Sequence, residues 1–124
     1  MKIYCATTPT WDRYVGKDAW VKCHVDLNSY GMEGEFKIWY VKALSIRDDG
    51  RLEYNRISET DIVELVNNGA YFFKDSLYWI RSTLEGRSLP CASAVEMLKI
   101  CTPVEIYTTE DLLDLVDNYE AQDQ

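Results

Sequence analysis

The chain has 124 residues, and its 47% hydrophobic, 27% charged and 13% aromatic content is that of a polypeptide that buries a core, which excludes intrinsic disorder. One domain spanning 1–124 is expected, because about two-thirds of the unfolded surface can be buried at this length while two halves would each be too small to hold together. A net charge of −8 and a pI near 4.6 oppose phosphate binding over the surface as a whole, and no stretch approaches the ~20 apolar residues of a membrane span.

In chain order, "MKIYCATT" reads as a short strand, and "PTWDRYVGKDA" as a loop or irregular helical turn punctuated by Pro9, Gly16 and Asp18. "WVKCHVDL" sets Val21, Cys23, Val25 and Leu27 on one face against Trp20, Lys22, His24 and Asp26, the alternation of a strand with one face buried. The opening residues lack the apolar run of a signal peptide, so a cytoplasmic protein is expected, with Cys5, Cys23, Cys91 and Cys101 as thiols.

After a turn at "NSYGMEGE" comes the strongest hairpin signal, "FKIWYVKALSIRDDGRLEYNRIS". A two-residue Asp49-Gly50 loop would set Ile46 against Glu53 and Leu44 against Asn55. A three-residue Asp48-Asp49-Gly50 loop instead pairs Ile46 with Leu52, Leu44 with Tyr54 and Lys42 with Arg56, matching apolar to apolar. The second register is expected, with Gly50 in the left-handed position of a bulge.

"SETDIVELVNNG" predicts a helix begun by Ser58 and Asp61, with Ile62, Leu65 and Val66 as its stripe and Gly69 at its end. "AYFFKDSLYWIRS" is expected to form a second hairpin around Lys74-Asp75-Ser76, on the strength of its aromatic residues. "SLPCASAVEMLKIC" is expected as a helix starting near Pro90, burying Ala94, Val95, Leu98 and Cys101. "PVEIYT" reads as a final strand. Thr108 then caps a helix with Asp111 three residues on, and Leu112, Leu115, Val116 and Tyr119 recur at helical spacing; residues 120–124 are expected to fray. Together these predict an α+β fold with a mainly antiparallel, curled or barrel-like small sheet and about three short helices.

The chain carries little that points to chemistry. His24 neighbours Cys23, but adjacent strand residues face opposite ways, so the two cannot form a nucleophilic dyad. The cysteines and His24 lack the closely spaced pairs of a structural zinc site, and the glycines form no phosphate-binding loop, so no metal, cofactor or catalytic residue is expected. Trp39, Tyr40, Tyr54, Tyr78 and Trp79 on predicted strands, with Arg47, Arg51 and Arg56, would suit a single-strand binder, but the net charge opposes it.

The most uneven feature is the C-terminal segment. From Ile100 onward the acids Glu105, Glu110, Asp111, Asp114, Asp117, Glu120 and Asp123 meet no Lys or Arg, whereas the preceding residues are nearly neutral. An acidic helix face formed by Glu110, Asp111, Asp114, Asp117 and Glu120 would steer association with a basic surface. "WDRYVGKDAW" offers a second contact through Trp11 and Tyr14, if these do not simply cover the end of the sheet. The expected function is non-enzymatic: binding a protein partner with a basic surface, in the general character of small acidic inhibitors or adaptors of viral or mobile-element type that engage nucleic-acid-handling partners. Two other classes stay open, a small enzyme or ligand-binding domain with a carboxylate or thiol pocket, and a single-strand nucleic-acid-binding module.

Overall fold

The computed structural model describes residues 3–5, 10–26, 36–67, 74–95, 98–100 and 104–122. The strands are β1 (Ile3–Cys5), β2 (Trp20–Asp26), β3 (Phe36–Ile46), β4 (Arg51–Ser58), β5 (Cys91–Ala94), β6 (Leu98–Ile100) and β7 (Val104–Tyr107). The helices are α1 (Glu59–Asn67), α2 (Lys74–Leu84) and α3 (Thr109–Gln122), with a 3₁₀ turn at Trp11–Arg13. All described pairings are antiparallel, and the sheet runs β1-β7-β2-β3-β4-β5, with β6 added beside β7 on β2. The expected α+β architecture with a curled antiparallel sheet is therefore the observed one.

Strand alternation sorts the apolar residues into two cores. Val21, Cys23 and Val25 of β2 share one face with Val41 and Ala43 of β3, Leu52 and Tyr54 of β4, Leu98 and Ile100 of β6 and Ile106 of β7. Trp11 and Tyr14 pack into this cluster, 4% and 7% exposed, and so cover it from the loop before β2. On the opposite face Trp20, Tyr40 and Ile57 meet Ile62 of α1, Ile80 and Leu84 of α2, and Leu112 and Val116 of α3. The sheet thus carries a core on each face, the first built from its own strands and the turn before β2, the second from Trp20, Tyr40 and Ile57 with the three helices.

The β3–β4 hairpin shows one agreement and one correction. Ile46 pairs with Leu52 and Gly50 has φ +83°, as the three-residue loop requires; Arg47 N–H donates to Arg51 C=O at 2.7 Å, and Asp49 Oδ1 accepts from Arg51 N–H at 3.0 Å. Beyond Leu44 a β-bulge shifts the register by one residue, so Tyr54 opposes Ala43 and Asn55 opposes Lys42. The physical reason is burial. With the bulge, the fully buried Val41 and Ala43 face the same core as Leu52 and Tyr54; without it they would lie on the other side of the sheet.

Two element assignments are corrected. The segment expected as a hairpin around Lys74-Asp75-Ser76 is the helix α2. Leu77, Ile80 and Leu84 fall on one helical face toward the second core, and Tyr78 and Trp79 point outward, 72% and 46% exposed. Gly86, φ +76°, ends α2 in a Schellman motif, its N–H bonding Thr83 C=O at 3.1 Å while Arg87 N–H bonds Ser82 C=O at 2.8 Å. The segment expected as a helix from Pro90 is instead β5 and β6, since Leu98 and Ile100 alternate with exposed Lys99 and pair with β2, while β5 takes the edge of β4. The turn at "NSYGMEGE", Leu27, Gly69 and Cys101 lie outside the described residues, as do the side chains of Cys5, Leu65, Val66, Tyr119 and Glu120.

Candidate functional site

Helix α3 is held to the sheet by its start. Thr108 and Asp111 form a reciprocal capping box: Asp111 N–H donates to Thr108 Oγ1 at 3.1 Å and Thr108 N–H to Asp111 Oδ2 at 3.0 Å. Thr109 adds a second anchor. Its hydroxyl accepts from the indole N–H of fully buried Trp20 at 3.0 Å and donates to Asp18, whose carboxylate also accepts Thr109 N–H at 3.0 Å. Partial burial works against the Asp18 charge, but the Thr109 hydroxyl and N–H and the Lys42 ammonium, 3.7 Å away, outweigh it and hold the carboxyl below its ordinary range. Leu112 and Val116 then sink into the second core.

The acids of α3 consequently have different employments. Asp111 belongs to the cap, and Asp117 accepts from the guanidinium of Arg81, tying α3 to α2. Glu110 and Asp114, one turn apart, are exposed, and among the described residues neither is in an ion pair. Glu120 also lies on α3. Neither the first nor the last turn of α3 contributes a base.

Beneath the same helical layer, Lys22 reaches Glu59 of α1 at 3.1 Å. Burial works against the ammonium, but the Glu59 hydrogen bond and the fields of Tyr40, Glu59 and Glu105 prevail and raise its pKa. Tyr107 donates to Glu105 and meets Tyr40 edge to face at 5.4 Å. Cys23 and His24 point to opposite faces of the sheet, the thiol fully buried and the imidazole half-buried. Among the described residues no three His, Cys, Asp or Glu side chains gather as a metal site, and no helix is long and apolar enough to cross a membrane.

A second feature lies where β3, β4, α1 and α2 meet. The sequence grouped several aromatics with Arg47, Arg51 and Arg56, and the structure separates them: Tyr40 and Tyr54 are buried, and Arg47 and Arg51 stand at the hairpin tip, Arg51 beside Asp49. Of the three, Arg56 reaches an aromatic ring among the described residues, its guanidinium carbon 3.7 Å from the centre of the Trp39 ring. Lys37, Trp39, Arg56, Ser58, Asp61 and Trp79 line an open groove of about 350 Å³. The bulge at Leu44 creates this grouping, because in the unshifted register Arg56 would oppose Lys42 and face away from Trp39. Comparison with protein-family models, with curated proteins and with solved structures finds no match to this chain.

Proposed function

We propose that the protein acts by binding a macromolecular partner with a basic surface, presenting the outer face of α3 to it, and that it does so in the cytoplasm without catalysing a reaction. One observation carries this reading: capping, the Trp20–Thr109–Asp18 anchor and the Arg81–Asp117 pair employ Thr108, Thr109, Asp111 and Asp117 in holding α3 down, while among the described residues Glu110 and Asp114 are exposed and in no ion pair. Carboxylates held on a rigid element keep their spacing and lose little entropy on meeting cations, and their field raises the rate of encounter. A small acidic inhibitor or adaptor covering the phosphate-binding surface of a nucleic-acid-handling protein would use such a face.

The test is capture by immobilised wild-type protein and by the Glu110→Gln/Asp114→Asn double variant, with Asp12→Asn as an exposed acidic control. A stoichiometric basic partner held by wild type and control, released by salt, and reduced several-fold by the double variant at unchanged melting temperature is expected. Equal capture by all three proteins would refute the role of α3.

A further inference from the structure

The groove at the junction of β3, β4, α1 and α2 is independent of the acidic face and gathers two cations beside two tryptophans. Lys22, Lys42, Arg51, Arg81 and Arg87 each have a carboxylate within ion-pair distance. Among the described residues Lys37 and Arg56 have none, nor do Arg13, Lys17 and Arg47, which lie elsewhere. Lys37 and Arg56 both line this groove, together with Trp39 and Trp79.

We propose that the groove is a nucleotide site that takes one nucleobase against Trp79 and its phosphate on Arg56 and Lys37, as a free mononucleotide rather than as a residue of a strand. Arg56 is preorganised for an anion. Stacking over Trp39 at 3.7 Å restrains the guanidinium, and a guanidinium so held still has N–H groups that can meet two oxygens of one phosphate. Lys37 sits two residues from Trp39 on β3, on the same side of the sheet, and supplies a second, mobile positive charge. Trp79 is a large aromatic left 46% exposed, and an indole surface beside cations is the combination that stacks a base while its phosphate is neutralised.

Size and charge narrow the ligand further. At about 350 Å³ the groove is at the small end of ligand sites, enough for one ring, a sugar and a phosphate. Asp61, which also lines the groove, accepts hydrogen bonds when ionised, and so favours a base bearing an exocyclic amino group over uracil or thymine while disfavouring additional phosphates. A polyanionic strand would have to approach a protein of net charge −8, with two cations among the described residues lining the groove to compensate, which is why the free nucleotide is favoured.

Isothermal titration of the full chain with cytidine, adenosine and uridine monophosphates, inorganic phosphate and a single-stranded oligonucleotide tests this. Saturable binding of the monophosphates is expected, with uridine the weakest of the three and inorganic phosphate weaker still. Trp79→Ala and Lys37→Gln alter exposed side chains, so both should stay folded by circular dichroism while binding falls about tenfold. Absence of saturable binding at millimolar nucleotide, or binding unaltered in both variants, would overturn the site. An oligonucleotide bound more tightly per site than the monophosphates would overturn the assignment to a free nucleotide.

Discussion

Replacing Thr109 by Val isolates the anchor that holds α3 on the sheet. The two side chains have nearly the same shape, so packing is kept while the hydroxyl is lost. Trp20 is fully buried, and its indole N–H, 3.0 Å from the Thr109 hydroxyl, would then be left without that partner. A stranded buried donor costs about 1–3 kcal/mol. The Asp18 carboxylate, being exposed, regains water and adds little, so about 2 kcal/mol in total is expected, a melting temperature lower by roughly 6–8 °C for a chain of this size. Thr109→Ser keeps the hydroxyl and should stay within about 0.5 kcal/mol of wild type. The assay is urea denaturation followed by far-ultraviolet circular dichroism, with the same Thr109→Val change repeated in a Trp20→Phe background. There the indole N–H is already gone, and the cost of Val should shrink by about 1 kcal/mol. Wild-type stability in Thr109→Val, or an undiminished cost in the Trp20→Phe background, would refute the anchor.

Asp18 adds a pH signature to the same node. Its folded pKa is lowered, so its contribution is complete above the unfolded value near pH 4 and is lost as pH falls through the folded value. Asp18→Asn should therefore lower stability near neutral pH and narrow its gap to wild type in acid, as read by denaturation at descending pH. For Lys22 the sign is opposite: a raised pKa means its contribution is present below about pH 10.5 and lost above the folded value, so Lys22→Met and wild type should converge in strong alkali. Gly86→Ala should cost about 1 kcal/mol, all of it from backbone strain at φ +76°, because an added Cβ meets nothing within 4 Å; a thermal melt equal to wild type would contradict the Schellman ending of α2. Asn55, 5% exposed, buries a side-chain carbonyl oxygen with no hydrogen-bond partner among the described residues, so Asn55→Leu should match or exceed wild-type stability by up to about 2 kcal/mol, and a clear loss in urea would reveal a partner for that amide.

What the sequence alone determined is what neighbouring residues decide among themselves. The alternation of Val21, Cys23 and Val25 specifies a half-buried strand wherever its partners lie, and Ser58 with Asp61 and Thr108 with Asp111 close hydrogen bonds within a single turn. Asp48-Asp49-Gly50 likewise sets its own turn. The uneven charge toward the C-terminus is composition, readable without any fold. By contrast, "KDSLYWIRSTLEG" satisfies both an aromatic strand propensity and a helical spacing of Leu77, Ile80 and Leu84, and the choice falls to the helix because the second core offers an apolar face to cover. The segment after Pro90 is extended because β4 and β2 have edges whose backbone groups need partners. Only the tertiary structure decided the bulge at Leu44, which costs a ladder position locally and is compensated by burying Val41 and Ala43 with Leu52 and Tyr54. The groove depends on that same shift. Trp39, Arg56 and Trp79 are far apart in the chain, and no local pattern could bring a guanidinium over one indole with a second indole lining the same groove; a packing requirement elsewhere in the hairpin places Arg56 beside Trp39.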